Sequence, residues 1–158
     1  FSKSLFPGLR LGYLVGSKHF IREARALRST VLRHPPGHLQ RTAAYFLSLG
    51  HYDALIRRMG NAFHERRQAM ELAFQQNGLT VAGQGAFGGS SFWMQAPDGV
   101  DTEIVAERLR KKGVLIEPGR PFFTNDDALK NYYRLAYSSL PVQKVTDGVA
   151  LIAQEMHK

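Results

Sequence analysis

The amino-acid sequence predicts an α/β fold, because helical and strand patterns follow one another along a single chain. Apolar residues between positions 52 and 74 recur at spacings of three, four and seven, which is typical of one face of a helix. Residues 91–95 and 132–137 are short runs rich in aromatic and aliphatic side chains, which is typical of strands. Prolines and glycines separate these runs, so each is expected to form its own element.

Length and composition restrict the class of protein. The 158 residues suffice for one ordinary domain, and the apolar fraction of 44% predicts a packed core. The chain has no cysteine, so neither a disulfide framework nor a thiolate metal site is expected. No apolar run approaches the ~18 residues that a membrane span needs, and the chain starts inside a motif rather than a signal peptide. A cytoplasmic protein without a membrane partner is therefore expected.

The charge of the chain is strongly basic, at +8 from 21 Lys and Arg against 13 Asp and Glu. Such a charge can indicate a nucleic-acid partner. The basic residues are scattered, however, and they form no stripe interleaved with stacking aromatic residues. No helix-turn-helix signature is present either. The charges are better interpreted as the solvated surfaces of helices.

The first elements are predicted from local signals. Residues 11–15 are an apolar run that predicts a strand, and Ser17 suits the N-cap of a helix that reaches about residue 29. Two prolines and a glycine within residues 33–38 stop regular structure, so we place a boundary there. His34 and His38 flank these prolines, but no carboxylate or third histidine lies near in sequence. They are interpreted as turn residues, and no metal site is expected.

The remaining elements form a helical region followed by a small layered unit. The helical region is predicted from about residue 39 to 76, with Gly50 as a break and Gly78 in the left-handed position that ends it. Strands are then predicted at residues 80–81, 91–95, 114–116 and 132–137, with helices from Asp101 to Lys112 and from Pro141 onwards. Strands mixed with helices in this way suggest a small α/β layer unit.

Two basic residues near the start of the chain, Lys3 and Arg10, lie on either side of a Pro7–Gly8 turn. Because a turn returns the chain, both side chains can face one pocket. A lysine amine condenses with an aldehyde, while the planar donor fork of a guanidinium suits a phosphate. A neighbouring cation also disfavours the ammonium form of lysine, which favours a nucleophilic amine. The pair suggests a site for a phosphorylated aldehyde cofactor; the alternative is two surface residues that flank a turn.

A second candidate is Arg134, which lies among aromatic and aliphatic residues in the strand predicted at 132–137. An arginine inside an apolar strand is costly unless its charge is paired. One interpretation is a structural ion pair with a nearby acid. The other is a bidentate clamp for the carboxylate of a substrate.

The opening stretch resembles the lysine motif of the fold-type I aminotransferases of class I and II, which depend on pyridoxal phosphate. That motif is Ser-x-Ser-Lys followed by Pro-Gly-x-Arg-x-Gly, and Ser2, Lys3 and the stretch from Pro7 to Gly12 match it. The resemblance implies that Lys3 is catalytic and holds pyridoxal 5′-phosphate as an internal aldimine, with Ser2 and Arg10 also at the cofactor. It also implies that Arg134, in an Arg-Leu-Ala-Tyr sequence, binds the carboxylate of a substrate or effector.

Later stretches are similar to the MocR group of regulators. They are the sequence from Gly50 to Met59, then Glu65-Arg-Arg67, the stretch from Gly113 to Gly119, and the stretch from Asn131 to Leu140. MocR proteins join an N-terminal winged-helix DNA-binding domain of the GntR type to an aminotransferase-like effector domain. The resemblance therefore implies a role in transcription regulation.

The resemblance extends over the whole chain and implies the C-terminal portion of the fold. Residues 1–35 correspond to a remnant of the large cofactor-binding domain, residues 36–77 to linking helices, and residues 78–158 to the small C-terminal domain. In the family, the acid at the pyridine nitrogen, the stacking aromatic residue and the phosphate cradle precede the lysine. The chain is therefore interpreted as a fragment of a longer protein that catalyses nothing useful alone.

Three functions remain open at this point. The leading hypothesis is the effector-binding part of a MocR regulator that takes a small amino-acid-like ligand, pairs as a homodimer and contacts DNA only through an N-terminal domain outside these residues. The alternative is a stand-alone aminotransferase that moves an amino group between an amino acid and a 2-keto acid. The third is a small-domain fragment that serves only folding or dimer contacts.

Overall fold

The computed structural model describes residues 1–2, 4–83, 89–124 and 129–158, and the chain forms two compact units, Phe1–Met59 and Gly60–Lys158. The helices within these ranges are α1 (Lys18–Val31), α2 (Gly37–Ser48), α3 (His51–Asn77), α4 (Thr102–Lys111) and α5 (Val145–Met156). The strands are β1 (Thr80–Val81), β2 (Ser91–Gln95), β3 (Glu117–Pro118) and β4 (Tyr132–Ala136). Short 3-10 turns cover Pro7–Leu9, Arg120–Phe122 and Val142–Lys144.

Helix ends follow the capping signals of the sequence. The hydroxyl of Ser17 accepts a hydrogen bond from the main-chain nitrogen of Phe20 at 3.2 Å, as expected of an N-cap. Asp101 does the same at the start of α4, where it accepts from the nitrogen of Glu103 at 3.0 Å. Gly50, with a φ of 73°, separates α2 from α3 as predicted. These boundaries were predictable because a cap involves only residues within one helical turn.

The strand predicted at residues 11–15 is wrong. These residues belong to no strand, and the side chains of Tyr13, Leu14 and Val15 are exposed, at 79%, 60% and 81%. A strand forms only where a neighbouring strand takes its backbone hydrogen bonds. The described residues of the first unit contain no other strand. An apolar composition alone was therefore not enough to make this segment a strand.

The second unit contains a four-stranded antiparallel sheet in the order β1-β2-β4-β3. The register of β2 against β4 sets Trp93 opposite Arg134, and the register of β3 against β4 sets Glu117 opposite the same arginine. The strand predicted at residues 114–116 is displaced to β3. The nitrogen of Val114 instead donates to the carbonyl of Leu109 at 3.0 Å, which closes the end of α4.

The core of the second unit lies on one face of this sheet. Alternate residues of β2 and β4 point into it, because successive side chains of a strand face opposite sides. The buried apolar side chains include Met70 and Phe74 of α3, Phe92 and Met94 of β2, Val105 and Leu109 of α4, Tyr133 and Leu135 of β4, and Val149 and Ile152 of α5. The mixed helix and strand composition predicted from the sequence is confirmed.

Candidate functional site

The opening loop, from Phe1 to Leu11, closes on itself. The main-chain nitrogen of Phe1 donates to the carbonyl oxygen of Leu11 at 2.9 Å. The 3-10 turn at Pro7–Leu9 forms the far end of the loop. The chain therefore returns as the Pro-Gly pair predicts. Ser2 follows Phe1 and Arg10 precedes Leu11, so each is adjacent in sequence to one end of this hydrogen bond.

Arg10 has an unusual backbone, with a φ of 46° in the left-handed region. For a residue with a side chain, that conformation costs about 1–2 kcal/mol, and such residues occur preferentially at functional sites. Arg10 is exposed, and its guanidinium forms no ion pair within the described part of the chain. The arginine is thus free to bind an anion. Lys3, the predicted cofactor lysine, lies outside the described residues.

Aromatic contacts hold the opening loop against the start of α3. The ring of Phe1 lies 5.8 Å from the ring of Tyr13 and 6.1 Å from that of Tyr52, the latter edge to face. Edge-to-face pairs at this separation are favourable beyond the area they bury. Tyr52 is the second residue of α3, so the position of the loop depends on a contact with a residue far away in sequence.

Arg134 lies on the face of the sheet opposite the core, and 44% of its side chain is exposed. It therefore does not point into the core, because Tyr133 and Leu135 take the two core-facing positions on either side. Its Nε donates to Oε2 of Glu117 at 2.6 Å, and its Nη2 makes an ion-pair contact with the same oxygen. The structural ion pair considered from the sequence is present, while binding of a ligand carboxylate remains a prediction.

The outward face of the sheet around Arg134 carries an aromatic cluster of four residues: Trp93, Phe122, Phe123 and Tyr132. Trp93 stacks on Tyr132 at 5.9 Å, and Phe122 and Phe123 lie 5.4 and 6.1 Å from Trp93. The guanidinium of Arg134 lies over the ring of Phe122 at 5.3 Å, a cation–π contact. The cluster provides an aromatic surface beside a cation.

Sequence reasoning missed two features of this face. Glu117 is not among the candidate residues predicted from the sequence, because its pairing with Arg134 depends on the register of β3 against β4. The cluster joins residues that are distant in sequence, so no local pattern revealed it. A usable signal existed in the Glu-Pro pair, since proline inside a sheet occurs mainly on edge strands and so indicates that Glu117 lies on one.

Other site classes find no support in the described residues. No group of three or more His, Asp or Glu side chains there is arranged to hold a metal ion, and His34 and His38 form no such group. None of the described helices has the length and apolar character needed to cross a lipid bilayer.

Comparison with known proteins identifies the family. The family model described as aminotransferase class I and II matches residues 1–152. The HTH-type transcriptional regulator TauR of Rhodobacter capsulatus is 63% identical over 156 residues, which cover 99% of this chain and 32% of that protein. Aromatic-amino-acid aminotransferase 1 of Thermococcus litoralis is 32% identical over 157 residues, which cover 98% of this chain and 37% of that protein. The chain thus spans about a third of the length of these relatives.

The fold comparison agrees with this result. The crystal structure of Pyrococcus horikoshii kynurenine aminotransferase, determined in complex with PMP, superposes with a TM-score of 0.87 at 29% identity. That superposition covers 99% of this chain and 39% of the aminotransferase. The predicted fold-type I architecture is therefore confirmed. Both comparisons lead to one conclusion: this chain belongs to the aminotransferase class I and II family.

Proposed function

We propose that this chain is the C-terminal part of the aminotransferase-like, effector-binding domain of a MocR-type transcriptional regulator. The observation that carries the proposal is the 63% identity with a helix-turn-helix regulator across 99% of the chain. The aromatic aminotransferase reaches only 32% over nearly the same residues. The MocR-like stretches noted above lie in both units, so the similarity to regulators is not confined to the cofactor motif.

Within this proposal, the chain comprises three functional parts. Residues 1–35 are the remnant of the cofactor-binding domain, residues 36–77 are the linking helices, and residues 78–158 are the small C-terminal domain. Gly78, whose φ of 65° follows the end of α3, supports a boundary at residue 77, while Met70 and Phe74 of α3 pack in the core of the second unit.

The donor groups of the opening loop fit pyridoxal 5′-phosphate. Arg10 offers a guanidinium with no ion-pair partner in the described part of the chain, and its planar donor fork matches a phosphate. Ser2 adds a hydroxyl donor next to Phe1, whose main-chain nitrogen is hydrogen-bonded to Leu11. When bound, pyridoxal phosphate supplies an aldehyde that reacts with amines and a ring that withdraws electrons. Lys3 supplies the amine that holds it, while Arg10 fixes its phosphate.

Arg134 is the proposed anchor for the ligand. A guanidinium supported on one side by the ring of Phe122 presents its donors in a fixed plane, which suits a carboxylate. The adjacent aromatic cluster offers contact area to an apolar part of the ligand. The expected ligand is therefore a small amino-acid-like carboxylate. Its binding changes the affinity for DNA of an N-terminal domain outside these residues, in a homodimer.

A cofactor titration tests the first part of the proposal. The purified full-length protein is expected to show the absorbance band of bound pyridoxal phosphate, and Lys3→Ala should abolish the band. Lys18→Ala, which removes an exposed lysine at the start of α1, is the matched control and should keep it. A band that persists in Lys3→Ala would remove Lys3 from the cofactor site.

The alternative function is a stand-alone aminotransferase, which the 32% identity with the T. litoralis aminotransferase and the TM-score of 0.87 support. The two functions differ in what the ligand does. A regulator changes its operator binding when an amino acid is added, without consuming it. An aminotransferase converts an amino acid and a 2-keto acid into the exchanged pair. Sustained turnover without any change in DNA binding would favour the enzyme.

A further inference from the structure

The ion pair between Glu117 and Arg134 has an unequal geometry. One carboxylate oxygen, Oε2, accepts a hydrogen bond from Nε of the arginine at 2.6 Å and also makes the ion-pair contact with Nη2. The other oxygen, Oε1, accepts nothing within the described part of the chain. A carboxylate that faces the guanidinium squarely would instead form two parallel hydrogen bonds, one for each oxygen. Glu117 therefore contacts Arg134 through one oxygen only, and its second oxygen forms no hydrogen bond in the described part of the chain.

The pair is also exposed on both sides. The side chain of Arg134 is 44% exposed and that of Glu117 is 47% exposed. Ion pairs at this level of exposure are weak, because water competes for both charges and two side chains must be held in place. Glu117 lies on β3, which has only two residues and forms the edge of the sheet. Its side chain can leave the arginine without disturbing buried residues.

We propose that Glu117 occupies the carboxylate position of Arg134 in the ligand-free protein, and that the carboxylate of the ligand displaces it. This inference deepens the proposed function, because it rests on Arg134 as the ligand anchor. The ligand replaces a contact through one oxygen with two parallel bonds, and Phe122 keeps the guanidinium plane in place during the exchange. Glu117 thus acts as an internal competitor that lowers the affinity for carboxylates.

The negative charge of Glu117 gives a second reason why it competes with a ligand carboxylate. An approaching carboxylate meets the negative charge of Glu117 at contact distance from the arginine, and like charges repel. A neutral analogue of the ligand meets no such repulsion and gains little from the arginine. Removing the charge of Glu117 should therefore improve the binding of carboxylates and leave neutral analogues unaffected.

Calorimetric titration of the full-length, cofactor-loaded protein with 3-phenylpropionate tests the inference. This probe carries a carboxylate and an aromatic ring but no amine, so it cannot react with the cofactor. Glu117→Gln should bind it about three- to fivefold more tightly than the wild type, as expected for the loss of an exposed competing charge. Glu107→Gln is the matched control, since Glu107 is an exposed carboxylate paired with Arg110 at 3.5 Å; it should bind like the wild type.

Two further measurements separate the possible explanations. The neutral amide 3-phenylpropionamide should bind Glu117→Gln and the wild type equally. Arg134→Gln should no longer bind 3-phenylpropionate. Equal or weaker binding of 3-phenylpropionate by Glu117→Gln overturns the inference, as does equal tightening for the amide. Unchanged carboxylate binding by Arg134→Gln, or no binding by any protein, overturns both this inference and the anchor role of Arg134. The cofactor role of Lys3 is tested separately by the absorbance band.

Discussion

The carboxylate of Glu155 in α5 accepts a hydrogen bond from Nζ of Lys112 at 2.7 Å, and this bond joins the last helix to the end of α4. Lys158 donates to the same oxygen at 2.6 Å, and Arg108 lies 4.0 Å from the other oxygen. The side chain of Glu155 is only 2% exposed. A carboxylate so enclosed depends on its cations, because a buried charge without partners is strongly unfavourable.

Glu155→Gln is therefore expected to lower the midpoint of thermal unfolding by several degrees. The substitution keeps the size of the side chain but leaves Lys112 and Lys158 without their shared anion. Circular dichroism during heating measures the change. Glu107→Gln removes an exposed carboxylate of α4 and should shift the midpoint much less. Equal midpoints for Glu155→Gln and the wild type would show that the cluster does not contribute to stability.

Stability should also depend on pH through this residue. Hydrogen bonds from Lys112 and Lys158 lower the pKa of Glu155 from 4.5 to about 2 in the folded protein. A carboxylate with a lowered folded-state pKa stabilises the fold above its unfolded pKa and loses that contribution as the pH falls towards the folded value. The wild type should therefore lose stability between about pH 4.5 and pH 2 more steeply than Glu155→Gln does. Parallel pH profiles of the two unfolding midpoints would contradict this prediction.

Tyr133 presents a buried hydroxyl that has no hydrogen-bond partner in the described part of the chain. Burial raises the pKa of Tyr133 well above its usual value, since a phenolate would be poorly solvated there. Tyr133→Phe is expected to leave the free energy of unfolding unchanged or to raise it by up to about 1 kcal/mol, because it removes an unsatisfied polar group. Denaturant titration measures this value.

The matched control for that substitution is Tyr137→Phe. The hydroxyl of Tyr137 donates to the carbonyl of Gly89 at 2.8 Å, so its removal should cost about 1 kcal/mol. A larger loss for Tyr133→Phe than for Tyr137→Phe would mean that the hydroxyl of Tyr133 has a partner in the folded protein.

Gly119→Ala should destabilise the protein by about 1–3 kcal/mol, because it overpacks the contact between β3 and β4. A Cβ atom at this position would lie 2.6 Å from the carbonyl oxygen of Tyr132, too close for any contact. The main-chain nitrogen of Gly119 also donates to that oxygen at 2.7 Å, so the strands cannot separate without losing a hydrogen bond. The expected change is a lower free energy of unfolding in a denaturant titration.

Gly148→Ala in α5 provides the comparison for Gly119→Ala. A Cβ there meets no atom within 4 Å, and alanine favours the helix over glycine by about 1 kcal/mol. This variant should therefore be more stable than the wild type. If both glycine substitutions changed stability in the same direction, the contact with Tyr132 would not be the cause.

Local sequence signals predicted most of the helical framework. Ser17, Asp101 and Gly78 marked helix ends correctly because each cap depends on residues within one or two turns. The strands at residues 80–81 and 91–95 also agree with β1 and β2. Their aromatic and β-branched residues suit a half-buried sheet wherever the chain finds a partner strand.

The remaining features could not be predicted because they depend on strand pairing and contacts between residues that are distant in sequence. Residues 11–15 have the composition of a strand but no strand neighbour in their unit, and β3 begins at Glu117 because its register with β4 decides the position. For the same reason the sequence identified Arg134 but not its partner. The family motif supplied Lys3 and Arg10, and local chemistry alone left their roles open.

The alternation of β4 has a consequence for how such proteins diversify. Tyr133 and Leu135 maintain the interior, whereas Arg134 and its neighbour Trp93 face the other way. Under the proposed role of Arg134 as ligand anchor, substitutions at the outward positions would alter ligand preference while the interior keeps its packing. On this proposal, one short strand would separate the residues that set specificity from those that keep the protein folded.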